Sequence, residues 1–236
     1  MQVTISSGNN INGTLVLPLF EGEEALPEAV EGIPSALKGQ INRVLAEGDF
    51  KAKANATMTL VGTEGGKAML IGLGKTDKAD AHAYREAGAT VVASCKKVHG
   101  NDLTVLFHDA DLACMTSFAE GMMLRDYAYD LYKKKDDEED DTKLSARINC
   151  NEGDATALSA AIDRAASIVS GVHLSRDLGN CPPNDMYRWR SQKRRNSGPS
   201  NTTTSRWKSS TTKRPSDTAW AASWPSAWVP LANRAW

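Results

Sequence analysis

Several features that would assign this 236-residue chain to a special class are missing. No apolar run approaches the ~20 residues that a membrane-spanning helix needs. Residues 1–6 have neither a basic segment nor a long apolar stretch, so we expect no secretory signal. Two common hydrolase motifs, H-E-x-x-H and G-x-S-x-G, are also absent, so neither type of hydrolase active site is supported. C-x-x-C is missing too, which gives no support for a zinc knuckle. We expect reduced thiols in a cytoplasmic protein, and the four cysteines are Cys95, Cys114, Cys150 and Cys181.

Tryptophan is absent from residues 1–187, and acidic residues are almost absent from residues 188–236. All six tryptophans follow Tyr187, as do 10 of the 28 Lys and Arg residues but only one of the 29 Asp and Glu residues, Asp217. Residues 1–187 therefore carry a net charge of −10 and residues 188–236 one of +9. The tail is basic, rich in Ser and Thr and without apolar periodicity, so we expect an irregular segment rather than a packed domain.

Up to residue 180, strand-like and helix-like segments alternate, which is typical of α/β folds. Proline cannot donate to a strand ladder, so Pro18 should end the first strand or place it at a sheet edge. The strands at 57–61 and 68–73 flank a glycine-containing turn and should form a hairpin. Apolar runs predict strands at residues 14–19, 57–61, 68–73, 103–107 and 143–150. Apolar spacing predicts helices at 33–45, 80–98, 112–131 and from Asp154, an expected N-cap, to about Cys181.

Three local patterns have both a functional and a structural interpretation. Gly72 to Thr76 contains the Gly-Lys-Thr of a phosphate-binding loop, but the full pattern needs glycine where Met69 stands, which favours a turn at a strand end. His108 to Asp111 offers metal ligands, yet it directly follows a strand, which favours a polar loop. The acidic run 136–141 could attract cations or a basic partner, but runs of like charge are usually solvated loops.

The most specific stretch is Leu174 to Asn184, with the sequence L-S-R-D-L-G-N-C-P-P-N. It resembles the A-R-D-L-x-N-x-P-x-N signature of the leucyl aminopeptidase (cytosol aminopeptidase) family, with Ser175 in place of the usual alanine. Leu70 to Lys75 is similar to a strand-turn of that family. A third stretch is similar to the family's E-G-x-x-L-x-x-Y-x-x-D-x-Y-K segment, through Glu120, Gly121, Leu124, Tyr127, Asp130, Tyr132 and Lys133. The resemblance covers about residues 1–187.

This resemblance implies a domain organisation. Residues 1–150 would form a macro-domain-like N-terminal α/β domain with a mixed sheet flanked by helices. Residues 151–187 would form an interdomain helix and the start of a linker to a catalytic domain. Residues 188–236 would be a non-native, irregular tail. The signature residues would have structural roles at the domain boundary, and they are Arg176, Asp177, Asn180, Pro182 and Asn184.

The resemblance also implies a function for the intact family. Its members are cytosolic hexamers that remove N-terminal amino acids from peptides with two divalent metals, zinc or manganese, held in the catalytic domain. The metal-binding motifs of that domain, similar to K-x-x-T-F-D-S-G-G and N-T-D-A-E-G-R, do not occur in this sequence. Two-metal hydrolysis needs the carboxylates that hold both ions. We therefore expect no catalytic residue, no metal ligand and no activity on this chain by itself.

The tail has two competing explanations. Tryptophan has a single codon, and translating Trp220 to Val229 one base earlier forces a segment similar to the Met-Gly-Gly-Phe-Leu-Ala opening of the family's catalytic domain. The same shift turns residues 207–209 into a segment similar to the family's V-E-V strand, so one hypothesis is an out-of-frame tail from about Arg188. The alternative is a binding module in which a macro-like domain takes a nucleotide and the basic tail adds nucleic-acid affinity. Nucleic acid is the less favoured partner.

Overall fold

The computed structural model describes residues 1–6, 11–27, 30, 32–62, 66–95, 102–133, 144–151 and 153–182, all in the unit Met1–Tyr187. Its strands are β1 (Gln2–Ser6), β2 (Thr14–Phe20), β3 (Thr57–Val61), β4 (Lys67–Gly74), β5 (Asp102–Leu106) and β6 (Ser145–Asn149). Its helices are α1 (Ser35–Ala46), α2 (Ala81–Cys95), α3 (Leu112–Arg125) and α4 (Ala155–Asn180), with a short 3₁₀ turn at Thr76–Lys78. Within these ranges no helix is both long and apolar enough to cross a bilayer.

The six strands of the described ranges form one mixed sheet in the order β1-β6-β5-β2-β4-β3. Neighbouring strands are parallel, except that β3 pairs antiparallel with β4 as the predicted hairpin. Buried side chains of α2, α3 and α4 form one core cluster with the sheet, and those of α1 form a second cluster. The predicted class, α/β with a mixed sheet flanked by helices, is confirmed.

The central strand β2 shows why the chain needs apolar side chains on both sheet faces. Leu15, Leu17 and Leu19 belong to the cluster with α1, whereas Val16 and Phe20 belong to the cluster with α2, α3 and α4. Every residue of β2 is buried. A parallel strand covered on both faces has a continuous apolar run instead of an alternating one, which is what the sequence shows at this position.

Pro18 lies inside this central strand, and the prediction that it would end the strand or place it at an edge was wrong. It stands opposite Ile71 of β4. Pairing of β2 with β5 stops at Val16, so on that side Pro18 has no ladder hydrogen bond to lose. The register with β4 becomes irregular directly afterwards, between Leu19 and Phe20.

Two boundaries and one strand also differ from the sequence-based expectation. α3 ends at Arg125 instead of continuing to residue 131, because the chain leaves the helix to bring Tyr127 against α4. Asp154 precedes α4 as predicted, but its side chain makes no capping hydrogen bond. β1 was not predicted, and only its parallel pairing with β6 makes it a strand. Residues 96–98 of the predicted second helix and the acidic run 136–141 lie outside the described residues.

Candidate functional site

The last turns of α4 carry the signature residues, and three of these contact the segment after α3. The Tyr127 hydroxyl donates to Asp177 Oδ1 at 2.9 Å and accepts from Asn180 Nδ2 at 3.1 Å. The Arg176 guanidinium lies 5.4 Å from the Tyr127 ring centroid, and its Nη1 donates to the Leu124 carbonyl at 2.8 Å. Tyr127 therefore joins two stretches that resemble separate motifs of the same family.

Helical spacing explains why these side chains reach one tyrosine. His173, Asp177 and Asn180 are three or four residues apart, so they lie on the same face of α4. The His173 ring is 5.2 Å from the Tyr127 ring, between centroids. Desolvation raises the pKa of Tyr127, and the hydrogen bond to the Asp177 carboxylate raises it as well. The phenol therefore stays protonated at neutral pH and can donate to Asp177.

A second pair of contacts holds α3 in position against α2. Arg85 Nε and Nη2 donate to Glu120 Oε2 at 3.0 and 2.9 Å. A Cβ on Gly121 would lie 1.9 Å from the Arg85 carbonyl oxygen, and one on Gly88 would lie 2.2 Å from the Phe118 carbonyl oxygen. The two helices thus touch through glycines, and only glycine permits so close an approach. Because this packing fixes the position of the end of α3, it also fixes the position of Tyr127, which lies two residues beyond that end.

The remaining signature residues lie beyond the end of α4. The Cys181 amide donates to the Asp177 carbonyl at 3.0 Å, and Pro182 is half-buried directly after it. The helix ends at Asn180, in agreement with the expected stop near Cys181. Asn184 lies outside the described residues. The structure thus brings Arg176, Asp177 and Asn180 together and leaves Pro182 as the start of the exit from the helix.

A cavity of about 450 Å³ lies beside this contact, between α4 and the end of α3, and we name it the α3–α4 groove. Burial lowers the pKa of His173, as does the nearby Arg176 charge, so the ring is neutral at neutral pH. Its Nε2 is buried and has no hydrogen-bond partner among the described residues. The polar part of the groove lining consists of Asp126, Tyr127, Ser170, His173, Asp177 and the Met1 ammonium, which lies 2.5 Å from Asp126 Oδ2.

Sequence patterns revealed nothing of this groove except Asp177 and Tyr127. His173 seemed isolated because it has no H-x-x-x-H partner. The available signal was its spacing of four residues before Asp177, which places both side chains on one helix face. Nothing local in the sequence indicates that Asp126 and Ser170 line the same groove.

A second polar group lies at the carboxyl edge of the sheet. β2 and β5 are neighbours, and the helices that come after them, α1 and α3, cover opposite faces. The crevice between such strands is the expected ligand site of an open α/β sheet. Here His108 Nε2 lies 2.9 Å from Glu23 Oε1, with only 8% and 20% of their side chains exposed, and the His108 ring packs edge-on against Phe20. Side chains that follow the two strands therefore contact each other at this crevice.

The segment from His108 to Asp111 is the polar loop that the sequence favoured. Asp111 Oδ1 accepts from the Cys114 amide at 2.7 Å and caps α3, and the Asp109 carbonyl accepts from the Tyr84 hydroxyl at 3.0 Å. The side chains of His108 and Asp111 therefore have structural partners, and Asp109 contributes its backbone carbonyl. Across the described ranges no group of three or more His, Cys, Asp or Glu side chains could hold a metal ion.

The phosphate-loop-like segment is the end of a strand, as expected. Gly72 and Gly74 belong to β4, and the 3₁₀ turn begins at Thr76. A Cβ on Gly72 would lie 2.1 Å from the Lys53 carbonyl oxygen. The glycine at this position therefore serves close backbone packing.

Comparisons with known proteins agree with this geometry. The sequence profile of the cytosol aminopeptidase family, N-terminal domain, matches residues 16–136. A Rhizobium etli protein named "Probable cytosol aminopeptidase" is 32% identical over 194 residues, covering 78% of this chain and 38% of the relative. An Agrobacterium fabrum protein of the same name is 34% identical over 195 residues, covering 77% of this chain and 38% of the relative. The chain thus spans 38% of the length of these relatives.

Solved structures show the same fold at lower identity. A mutant of tomato leucine aminopeptidase superposes with a TM-score of 0.63 at 20% identity, over 79% of this chain and 39% of that one. The bottromycin maturation enzyme BotP, solved with manganese, gives 0.53 at 20% identity, over 73% of this chain and 32% of that one.

The described residues define an α/β domain. It consists of the mixed sheet and its covering helices, and its last helix, α4, ends in the signature residues. The chain belongs to the cytosol aminopeptidase family and carries the N-terminal domain of that family. The resemblance drawn from the sequence motifs is confirmed.

Proposed function

We propose that this chain serves as the N-terminal part of a leucyl aminopeptidase-like metallo-exopeptidase, which removes N-terminal amino acids from peptides. The observation that carries the proposal is the family match over residues 16–136, which include the helices α1, α2 and α3. The relatives are much longer than the part that aligns with this chain. Under this proposal the reaction takes place in a region that the relatives have and that does not align with this chain.

The proposal assigns the two divalent metals, zinc or manganese, to that other region. The residues present here do not fit a metal pair, since the described ranges offer no cluster of three potential ligands. Assembly as a hexamer and a cytoplasmic location are further parts of the proposal, and they rest on the family. Since the family's metal-binding motifs do not occur in this sequence, we expect this chain to have no peptidase activity by itself.

The role proposed for the end of α4 is to position the polypeptide beyond it. Tyr127 ties Asp177 and Asn180 to the end of α3, and Arg176 ties the same turn to the Leu124 carbonyl. A helix fixed at its last turn gives the next segment of the chain a defined starting point and direction. Under this proposal residues 1–150 are the N-terminal domain, residues 151–187 the interdomain helix and linker, and residues 188–236 a non-native tail.

An activity assay tests the first part of the proposal. The chain is incubated with leucine p-nitroanilide and manganese or zinc, and release of p-nitroaniline is measured by absorbance. We expect no turnover above that of the metal alone, whereas the Rhizobium etli relative serves as the positive control. Metal-dependent turnover that EDTA abolishes would contradict the assignment of catalysis to another region.

A chimera tests the positive part. Residues 1–182 of this chain replace the aligned segment of the Rhizobium etli relative, and the product is assayed on the same substrate. Retained activity is the expected result, because the fold and its exit helix match. A chimera that is folded but inactive would argue against the proposed role.

For the tail, sequencing the gene across the Tyr187 codon decides between a frameshift and a genuine basic segment.

A further inference from the structure

The α3–α4 groove has the size of a small-molecule site. Its volume of about 450 Å³ falls within the ~300–1,000 Å³ that such sites usually occupy. Met123 and Val169 contribute apolar surface, and the Tyr127 ring forms part of the wall. The groove therefore offers an apolar surface next to polar groups, the usual combination for binding a small organic molecule.

The polar groups of the lining are mostly hydrogen-bond acceptors. Asp177 uses Oδ1 for the Tyr127 hydroxyl, and no described residue bonds to its Oδ2. His173 Nε2 is an unpaired acceptor in the neutral ring. Neither Lys nor Arg is among the lining residues. Counting Asp126, Asp177 and the Met1 ammonium, the lining residues carry a net charge of −1, and the Arg176 guanidinium lies outside the lining, 5.4 Å from the Tyr127 ring centroid.

The chain already shows which chemistry this lining accepts. The Met1 ammonium donates to Asp126 Oδ2 at 2.5 Å inside the groove wall, and only 1% of the Met1 side chain is exposed. One carboxylate of the groove thus holds an ammonium group attached to an apolar chain. Asp177 is a second carboxylate on the same groove without such a partner among the described residues.

A metal ion does not suit the same place, because the described residues contain no cluster of three potential metal ligands. A neutral ligand would leave the free carboxylate oxygen uncompensated, and an anion would meet like charge. An organic cation with N–H donors satisfies both the charge and the acceptors.

We propose that the α3–α4 groove is a binding site for a small primary ammonium carried on a short apolar chain, with Asp177 as its anionic anchor. The ammonium donates to Asp177 Oδ2, Ser170 supplies a second acceptor, and the apolar chain packs on Met123 and Val169. This site is separate from the aminopeptidase reaction and does not depend on the proposed function of the chain.

The test is a titration of the full chain with isopentylammonium, monitored by NMR chemical shifts of the groove residues. Isopentanol, similar in shape but neutral, is the matched ligand control. We expect saturable shifts at Met123, Ala128 and Val169 with the ammonium and none with the alcohol. Absence of saturable shifts up to the solubility limit, or equal binding of the alcohol, would overturn the proposal.

Two variants locate the anchor. Asp177→Asn removes the charge but keeps an oxygen that can accept from Tyr127, so the local contact persists. It should weaken isopentylammonium binding about tenfold, the loss expected for one charge-assisted hydrogen bond. Asp163→Asn removes a carboxylate from the exposed side of the same helix, outside the groove, and should leave binding unchanged. Equal affinities of the two variants, both with native unfolding midpoints, would show that Asp177 is not the anchor.

Discussion

Tyr127 is the residue on which the two family-like stretches depend for their mutual contact. Its hydroxyl connects to residues 50 and 53 positions further along the chain, and its ring contacts His173 and Arg176. A tyrosine suits this position because its ring packs against side chains while its hydroxyl both donates and accepts. Phenylalanine would provide only the packing.

Tyr127→Phe tests this dual role. The variant leaves Asp177 and Asn180 without their shared partner, so we expect a loss of about 1–2 kcal/mol in the free energy of unfolding. Faster amide exchange in the last turn of α4 should accompany it. Urea denaturation and hydrogen exchange measure the two effects. Ser175→Ala removes a hydroxyl from the exposed side of the same helix and should cost less than about 0.5 kcal/mol. Equal costs would deny Tyr127 a special role.

Gly121 is the residue that permits the close contact between α2 and α3. In Gly121→Ala the new Cβ would meet the Arg85 carbonyl oxygen at 1.9 Å, and backbone cannot yield as a flexible side chain does. We expect a loss of about 3 kcal/mol or more, in the range of overpacked cores. Gly171→Ala is the matched control, because nothing lies within 4 Å of its Cβ position. That change should stabilise α4 by up to about 1 kcal/mol, and thermal unfolding of both variants shows the contrast.

At the scale of the element, an aspartate precedes both α3 and α4, but only one of the two caps its helix with a hydrogen bond. Asp111 accepts a hydrogen bond from the Cys114 amide, whereas Asp154 makes no capping bond. Amide donation, chiefly from Cys114, lowers the pKa of Asp111. The folded carboxyl thus binds protons more weakly than the unfolded one. Its stabilising effect is present above the unfolded pKa and is lost as pH falls through the folded pKa.

The pair Asp111→Ala and Asp154→Ala measures this difference. Asp111→Ala should cost about 1 kcal/mol at neutral pH, the usual value for a lost N-cap. The difference from the wild type should begin to shrink below about pH 4, where the carboxyl of the unfolded chain becomes protonated, and should vanish below the lowered pKa of the folded carboxyl. Asp154→Ala should cost much less at every pH. Urea denaturation across the pH range tests both statements, and a pH-independent penalty at Asp111 would contradict the capping explanation.

At the scale of the whole molecule, α4 is part of the core as well as its exit. Leu158, Ile162, Ala165 and Val169 belong to the cluster beneath α2 and α3. Beyond Val169 the described residues of α4 are at most half-buried, and this part of the helix is bound to Tyr127 and to the Leu124 carbonyl. The proposed domain boundary near residue 150 therefore separates a strand from a helix that share one core.

Leu158→Ala tests whether α4 unfolds together with the sheet. Leu158 is fully buried, so its truncation should cost about 2–5 kcal/mol and lower the temperature of a single transition seen by both calorimetry and far-UV circular dichroism. Ile168→Ala, on the same helix but 53% exposed, should cost under about 1 kcal/mol. Two separate transitions in the Leu158 variant would indicate that α4 is an independent unit.

How much could be predicted from sequence differs between elements. The apolar run at residues 103–107 predicted a buried strand, and the spacing of Leu158, Ile162 and Val169 predicted an amphipathic helix, because burial on a regular backbone leaves a recognisable pattern in the sequence. The prolines after Cys181 predicted the stop of α4. The position of Pro18 in the central strand could not be predicted, since it depends on where β5 stops pairing. β1 similarly depends on β6.

The sequence by itself determined the α/β class, the family and the residues of the signature, because these are recorded in local period and in short motifs. Only the tertiary structure decided that α3 ends early and that the Tyr127 hydroxyl bonds to both Asp177 and Asn180. It also decided that His108 and Glu23 contact each other at the crevice between β2 and β5. It alone decided that Asp126, Ser170 and His173 share a groove. These contacts join residues far apart in the chain, and their energy depends on the packing of α2, α3 and α4 as a whole.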